Sequence, residues 1–453
     1  MLYIHATIIT VDTTRRIIED GAILVKKNTI AAIDKTVSLL GRYPHEKQYD
    51  LAGCIVIPGL ISTHIHTIQT LLRGTADNRN KEAWLSERIR LLQRGMTQAD
   101  AQVSASLTIA EMLKSGTTCF LECLFFPSLG FDGLCETVQD SGIRACLAHT
   151  SLQGLKPVGE TDLGHGMLSD VLMSWKKWNG AANDRIRVWL AAHNPDFVSE
   201  SQMQQQSAVS HSSGIRTTIH LAESRQDAKY LSSQGHTAAS YAQAVGLLSP
   251  STVLAHTVYV DKTRDIPLIA SAGAHISHCP TSNSKLATGI SPLPDLLSAG
   301  VNVSLGTDGA ACNNTCDMFL EMRLAAIVHN RPEDPAPIRA ETVLEMATIN
   351  GAKALGLDDI TGSLQVGKRA DFVAINTQKA PLQPCIDPVS NVVYATTGRD
   401  VHVVVVDGQL VVERGELLSM DEGTILKAAK HAIYKLLQRT GLQEDSGPLW
   451  PVY

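Results

Sequence analysis

The chain has 453 residues and a formal net charge of -6. That length suits two or three domains at roughly 100–200 residues each, and that charge excludes the basic face nucleic-acid binding needs. Met1-Leu2-Tyr3-Ile4-His5-Ala6 lacks the basic start and apolar core of a signal peptide, and no apolar stretch is long enough to cross a bilayer, so the expectation is a soluble, cytoplasmic protein with no membrane or nucleic-acid partner.

Residues 2–11, 22–26 and 29–34 are short β-branched runs separated by turn or charged residues, the pattern of a small antiparallel sheet. An apolar run from Ile55 ends in His64-Ile65-His66, and a helical pattern follows over Ala105–Lys114. Further apolar runs end at His220, with Glu223 three residues on, at His256, and at Asp308 in Val301–Asp308. Strand-length runs alternating with helices predict parallel strands with crossover helices. The β-rich texture returns at 370–375 and 401–412, and a last helix over Gly423–Gln438 carries Ile425, Leu426, Ala429, Ile433, Leu436 and Leu437 on one stripe. The expected fold is α/β: a (β/α)₈ TIM-type barrel over 56–361, a composite β-sandwich from 1–55 and 362–420, and a helix and tail over 421–453.

Alternate residues of a strand share a face, so His64 and His66 can grip one ion. Alone the pair is weak, since 16 histidines place some neighbours by accident. A lone His220 or His256 is more often a core histidine, and Glu223 alone is as readily an ordinary helix-start glutamate. The joint pattern is different, because every member closes a β-like run, and strand C-termini converge on one face of such a barrel. Imidazoles with one carboxylate suit zinc or ferrous iron. Such an ion lowers the pKa of a bound water from about 15.7 to roughly 7, and Glu223 is placed to act as general acid or base. The nine cysteines are odd in number and scattered, and read as free thiols. Cys312 and Cys316, just after Asp308, read as buried packing rather than ligation.

These motifs resemble the amidohydrolase superfamily, in the branch holding cytosine, guanine and 8-oxoguanine deaminases, triazine hydrolases and methylthioadenosine/S-adenosylhomocysteine deaminases. The resemblance runs from Pro58-Gly59-Leu60-Ile61-Ser62-Thr63-His64-Ile65-His66 and Leu71-Leu72-Arg73-Gly74 through Thr218-Ile219-His220-Leu221-Ala222-Glu223, Leu254-Ala255-His256 and Ser277-His278-Cys279-Pro280-Thr281-Ser282-Asn283. It continues in Leu305-Gly306-Thr307-Asp308-Gly309 and Gly362–Asp371. It implies one divalent metal, zinc with iron as the alternative, held by His64, His66, His220 and Asp308. His256 would polarise rather than ligate, Asp308 would accept the water proton, and Glu223 would carry it to a substrate ring nitrogen. Asp308 favours deamination, because some triazine hydrolases that cleave other leaving groups lack this aspartate. Dinuclear members carry a bridging lysine near the end of the fourth strand; Gly116–Cys123, taken as the comparable stretch, has none.

For the substrate, Trp84 matches a covering tryptophan and His193 a pocket histidine. Gln93 stands where nucleoside deaminases place a ribose-gripping glutamate, and His149 where they place an arginine. Phe125, Phe126 and Pro127 resemble a segment of oxidised-guanine deaminases and triazine enzymes. The resemblance therefore implies a small aminated N-heterocycle, purine-, pterin- or triazine-like, and a homo-oligomer (dimer or tetramer). The alternatives are hydrolysis of another C–N bond or leaving group and a methylthioadenosine/S-adenosylhomocysteine-type deaminase; retention of all four ligand positions argues against a non-catalytic scaffold.

Overall fold

The computed structural model describes residues 1–151, 167–335 and 337–443; the expected tail beyond 443 lies outside them. The chain begins with β1 (Leu2–Ile9), β2 (Ile17–Lys26), β3 (Thr29–Lys35), β4 (Gln48–Asp50) and β5 (Cys54–Pro58). Eight parallel strands follow: β6 (Leu60–Ile65), β7 (Thr117–Phe125), β8 (Arg144–Thr150), β9 (Ile186–Ala191), β10 (Thr217–Leu221), β11 (Thr252–His256), β12 (His275–His278) and β13 (Val303–Leu305). The chain returns through β14 (Phe372–Asn376), β15 (Val401–Val406), β16 (Gln409–Glu413) and β17 (Glu416–Leu417).

The eight parallel strands pair in chain order from β6 to β13. Side-chain hydroxyls join the first strand to the last two: Thr63 Oγ1 lies 2.7 Å from Ser277 Oγ and 2.8 Å from Ser304 Oγ, and the Asp308 N–H donates to His64 O at 2.9 Å. In this barrel Gly116–Cys123 belongs to the second strand, not the fourth. The fourth is β9, followed by Ala192-His193-Asn194, and it too lacks a lysine.

The two chain ends form one nine-stranded sheet, in the order β17-β16-β15-β14-β5-β1-β2-β3 with β4 on β1. The sheet curls until β3 meets the segment before β14, with Ile30 N–H donating to Lys368 O at 2.9 Å. Period-2 alternation divides its side chains. Phe372, Ala374, Val403 and Val405 point into the curl with Tyr3, Ile8 and Val25, while Val373, Ile375, Val404 and Val406 join the barrel core. Both faces are covered, which is why Val401–Val406 reads as an almost unbroken apolar run. Asp407-Gly408, both at positive φ (50° and 75°), make the tight turn into β16. The last helix, Glu422–Thr440, packs Ala429, Ala432 and Leu436 inward on the barrel exterior, leaving Leu426 exposed.

One buried ion pair ties barrel to sheet. Arg144 Nε and Nη2, at the start of β8, reach Asp371 at 2.9 and 3.2 Å, with both side chains at most 1% exposed. Removing one partner strands the other charge in a dry setting. Arg144→Met is therefore expected to lower the unfolding free energy by about 3–5 kcal/mol, read from the denaturant midpoint; an unmoved midpoint would show that the pair does not hold the two parts together.

Candidate active site

Six predicted residues meet at the C-terminal mouth of the barrel. His64 and His66 come from the end of β6, His220 from β10, His256 from the last position of β11, and Asp308 from just after β13. Glu223 follows β10 and lines the same cavity. The backbone turns sharply at these strand ends: His193 (φ 61°), Ala222 (49°), His256 (69°) and Asp308 (59°) all occupy the left-handed region. Such conformations cost of order 1–3 kcal/mol each and collect at functional sites.

The donor atoms are spaced for one ion. His66 Nε2 and His220 Nε2 are 3.3 Å apart, and Asp308 Oδ1 lies 3.6 Å from His66 Nε2 and 3.7 Å from His64 Nε2. Ligands at the usual zinc–nitrogen distance of about 2.0–2.1 Å stand about 3.3 Å from one another in a tetrahedron. Burial holds His64 and His220 well below their ordinary pKa, so both rings are neutral and offer lone pairs. His220 Nδ1 faces His193 O at 3.4 Å, which keeps its proton there and leaves Nε2 free. Asp308 Oδ2 accepts from the Ser282 hydroxyl at 2.6 Å, a bond that favours the carboxylate form. A divalent cation fits this set.

His256 is arranged differently. Asn283 Nδ2 lies 3.2 Å from His256 Nδ1 and 3.0 Å from Thr288 Oγ1, whose own hydroxyl donates to Asn283 O. That fixes the amide with its NH₂ toward His256, so Nδ1 accepts and Nε2 carries the proton. Nε2–H is then a donor facing the cavity, 3.9 Å from Glu223 Oε2. Cys123, which the motifs did not flag, also borders the donors. Its sulfur is 3.5 Å from both ring nitrogens of His66 and 3.1 Å from Ile65 O. The sulfur is also 3.7 Å from His64 Nε2, so Cys123 stands with His64, His66 and His220 within reach of one ion. Cys312 and Cys316 are buried, the first donating to Gly309 O at 3.0 Å, and burial pushes both thiols well above their ordinary pKa. They are packing, as expected.

Trp84, Gln93 and His193 line the cavity with Leu85, Ile89, Leu124, Phe126 and Phe197. Trp84 is anchored by its indole N–H on Ala311 O at 3.1 Å. The His193 ring lies 4.9 Å from that of Phe197. His149 is a correction. It sits at an outward-facing position of β8, where its ring stacks on Phe131 of the outer helix Phe131–Ser141 at 4.5 Å, and it lines a separate groove with Asp170 and Lys177. Phe125 likewise meets Phe131, at 6.0 Å, while Phe126 one residue on faces the cavity. Sequence reasoning missed Gln69 and Lys81, which also line it. No motif marks Lys81; its position three residues before Trp84 was the available signal.

Fold and site define a metal-dependent hydrolase on a (β/α)₈ barrel. The sequence matches the amidohydrolase family over residues 55–411. A 5'-deoxyadenosine deaminase of Methanothermobacter thermautotrophicus is 37% identical over 92% of this chain and 95% of its own. A 5-methylthioadenosine/S-adenosylhomocysteine deaminase of Syntrophobacter fumaroxidans is 33% identical over 95% and 97%. Among solved structures, an adenosine deaminase from Xanthomonas campestris with bound zinc superposes with a TM-score of 0.90 at 27% identity, covering 96% of this chain and 98% of that one. Atrazine chlorohydrolase TrzN from Arthrobacter aurescens, complexed with zinc, gives 0.85 at 26% identity, covering 95% and 99%. The chain belongs to the amidohydrolase family, and it is a hydrolase of carbon–nitrogen bonds.

Proposed function

We propose that this protein is a hydrolytic deaminase that releases ammonia from a small aminated N-heterocycle, using one divalent metal, zinc with iron as the alternative. The observation that carries the reading is the convergence of His64, His66, His220 and Asp308 at ligand spacing with Glu223 and His256 beside them. The cation supplies Lewis acidity, bringing water ionisation from about 15.7 to about 7. Asp308, its Oδ2 fixed by Ser282, directs Oδ1 at the imidazole donors and is placed to accept a water proton. Glu223 carries one proton of the water to the ring nitrogen beside the carbon that bears the amine, and Asp308 passes the other to the departing amine, which leaves as ammonia. His256 Nε2–H donates to the oxygen entering that carbon. Leu85, Ile89, Phe126 and Phe197 offer apolar contact to a flat ring.

The substrate has two readings. Gln93 in the cavity wall supports a free base or comparable heterocycle, because a neutral amide replaces a carboxylate that would accept two ribose hydroxyls. His149 faces the outer helices and does not line the cavity. The named relatives support a nucleoside such as 5'-deoxyadenosine. On Gln93, a free aminated heterocycle is expected to show higher kcat/KM than methylthioadenosine, S-adenosylhomocysteine or 5'-deoxyadenosine in an ammonia-release assay. Gln93→Glu is expected to raise relative activity on nucleosides about tenfold, if one charged hydrogen bond of about 1.4 kcal/mol is regained. A preference of the unmodified enzyme for a nucleoside would decide for the second reading and show that Gln93 suffices for ribose.

A further inference from the structure

Among the described residues lining the cavity, Lys81 is the only lysine or arginine. It opens the short helix Lys81–Trp84, on the segment that leaves the first barrel strand. Its ammonium crosses to the fifth strand's loop, on the opposite side of the barrel, where Nζ lies 2.8 Å from Glu223 Oε2 and 2.8 Å from Asp227 Oδ2. The three side chains are 9–12% exposed. Both ends of this bridge are fixed. Asp227 Oδ2 also accepts from Ser224 N–H at 2.8 Å in a capping box, Asn80 caps the Lys81 helix through Ala83 N–H at 3.0 Å, and Trp84 is held by Ala311 O.

We propose that Lys81 is a positioning residue for the proton transfer: anchored on Asp227, its ammonium holds the Glu223 carboxylate beside His256 at the metal site. This rests on Glu223 as the proton carrier. In that role Glu223 takes one proton from water and returns it to the ring nitrogen, so its charge passes from -1 to 0 and back. Asp227 keeps Lys81 paired while Glu223 is neutral, so the ammonium neither loses its proton nor swings away. Burial opposes the Lys81 charge, but the two carboxylates outweigh it and raise its pKa above the ordinary value. Without Lys81 the buried Glu223 carboxylate would lose its only ion pair with a lysine or arginine among the described residues and would be free to turn from the site.

The test is a double-mutant cycle of Lys81→Met and Glu223→Gln, measuring kcat, KM and bound metal. Lys81→Met should keep its metal and lower kcat by about 10–100-fold with KM within about threefold, Lys81→Arg should restore part of the loss, and in the Glu223→Gln background Lys81→Met should change kcat by less than about twofold. Asp227→Asn, which keeps the helix cap, should give a smaller fall that also vanishes in that background, and it serves if Lys81→Met does not fold. Equal falls in both backgrounds, or a loss carried by KM alone, overturn the proposal while leaving the deaminase reading intact. A near-normal Glu223→Gln enzyme overturns the role of Glu223 and the Lys81 proposal with it.

Discussion

His66→Ala and Asp308→Asn are each expected to lose both bound metal and turnover, while His256→Ala keeps most of its metal and loses rate. The first two remove or weaken one of the four proposed ligands, which His66–His220, His66–Asp308 and His64–Asp308 separations of 3.3, 3.6 and 3.7 Å bring together. The loss of affinity should exceed the roughly 10–100-fold that removing an outer-shell partner costs. His256 differs because the Asn283 amide occupies its Nδ1 and leaves Nε2 as a donor. Elemental analysis beside ammonia release separates the cases, and equal metal loss in all three variants would show that His256 is a ligand.

Glu223→Gln should retain the metal and lower the rate by about 10²–10⁴, the range of a general acid–base group. The amide keeps the shape of the side chain and can still bond to Lys81, but it cannot carry a proton. A near-normal rate with full metal would return Glu223 to the role of an ordinary helix-start carboxylate. The fall should appear in kcat more than in KM, because the missing proton transfer belongs to the transition state and not to binding.

The metal-facing residues were legible because strand geometry is local. His64 and His66 are two apart, each of the other groups closes or directly follows an apolar run, and a parallel barrel brings strand C-termini to one face whatever their distance in sequence. The same rule explains two errors. His149 stands at the arginine position of nucleoside deaminases, but position alone does not give the face of the strand, and its ring points to Phe131. Gly116–Cys123 belongs to the second barrel strand and not the fourth, because every strand before β6 belongs to the end sheet. The curl of that sheet was not legible, since an almost wholly apolar run such as Val401–Val406 hides its own alternation. Lys81 was invisible for another reason. Its partners Glu223 and Asp227 are 142 and 146 residues away, and only the closed barrel brings their loops together.

The proposed chemistry is hydrolytic deamination at a single metal. Its most direct test is ammonia release by enzyme of measured metal content across a panel of aminated purines, 5'-modified adenosines, pyrimidines, pterins and triazines. At least one member of the panel is expected to yield one ammonia per hydrolysed ring, with activity rising to saturation at one metal per chain. Activity that tracks a second equivalent, or no ammonia from any member by enzyme holding its one metal, would contradict it.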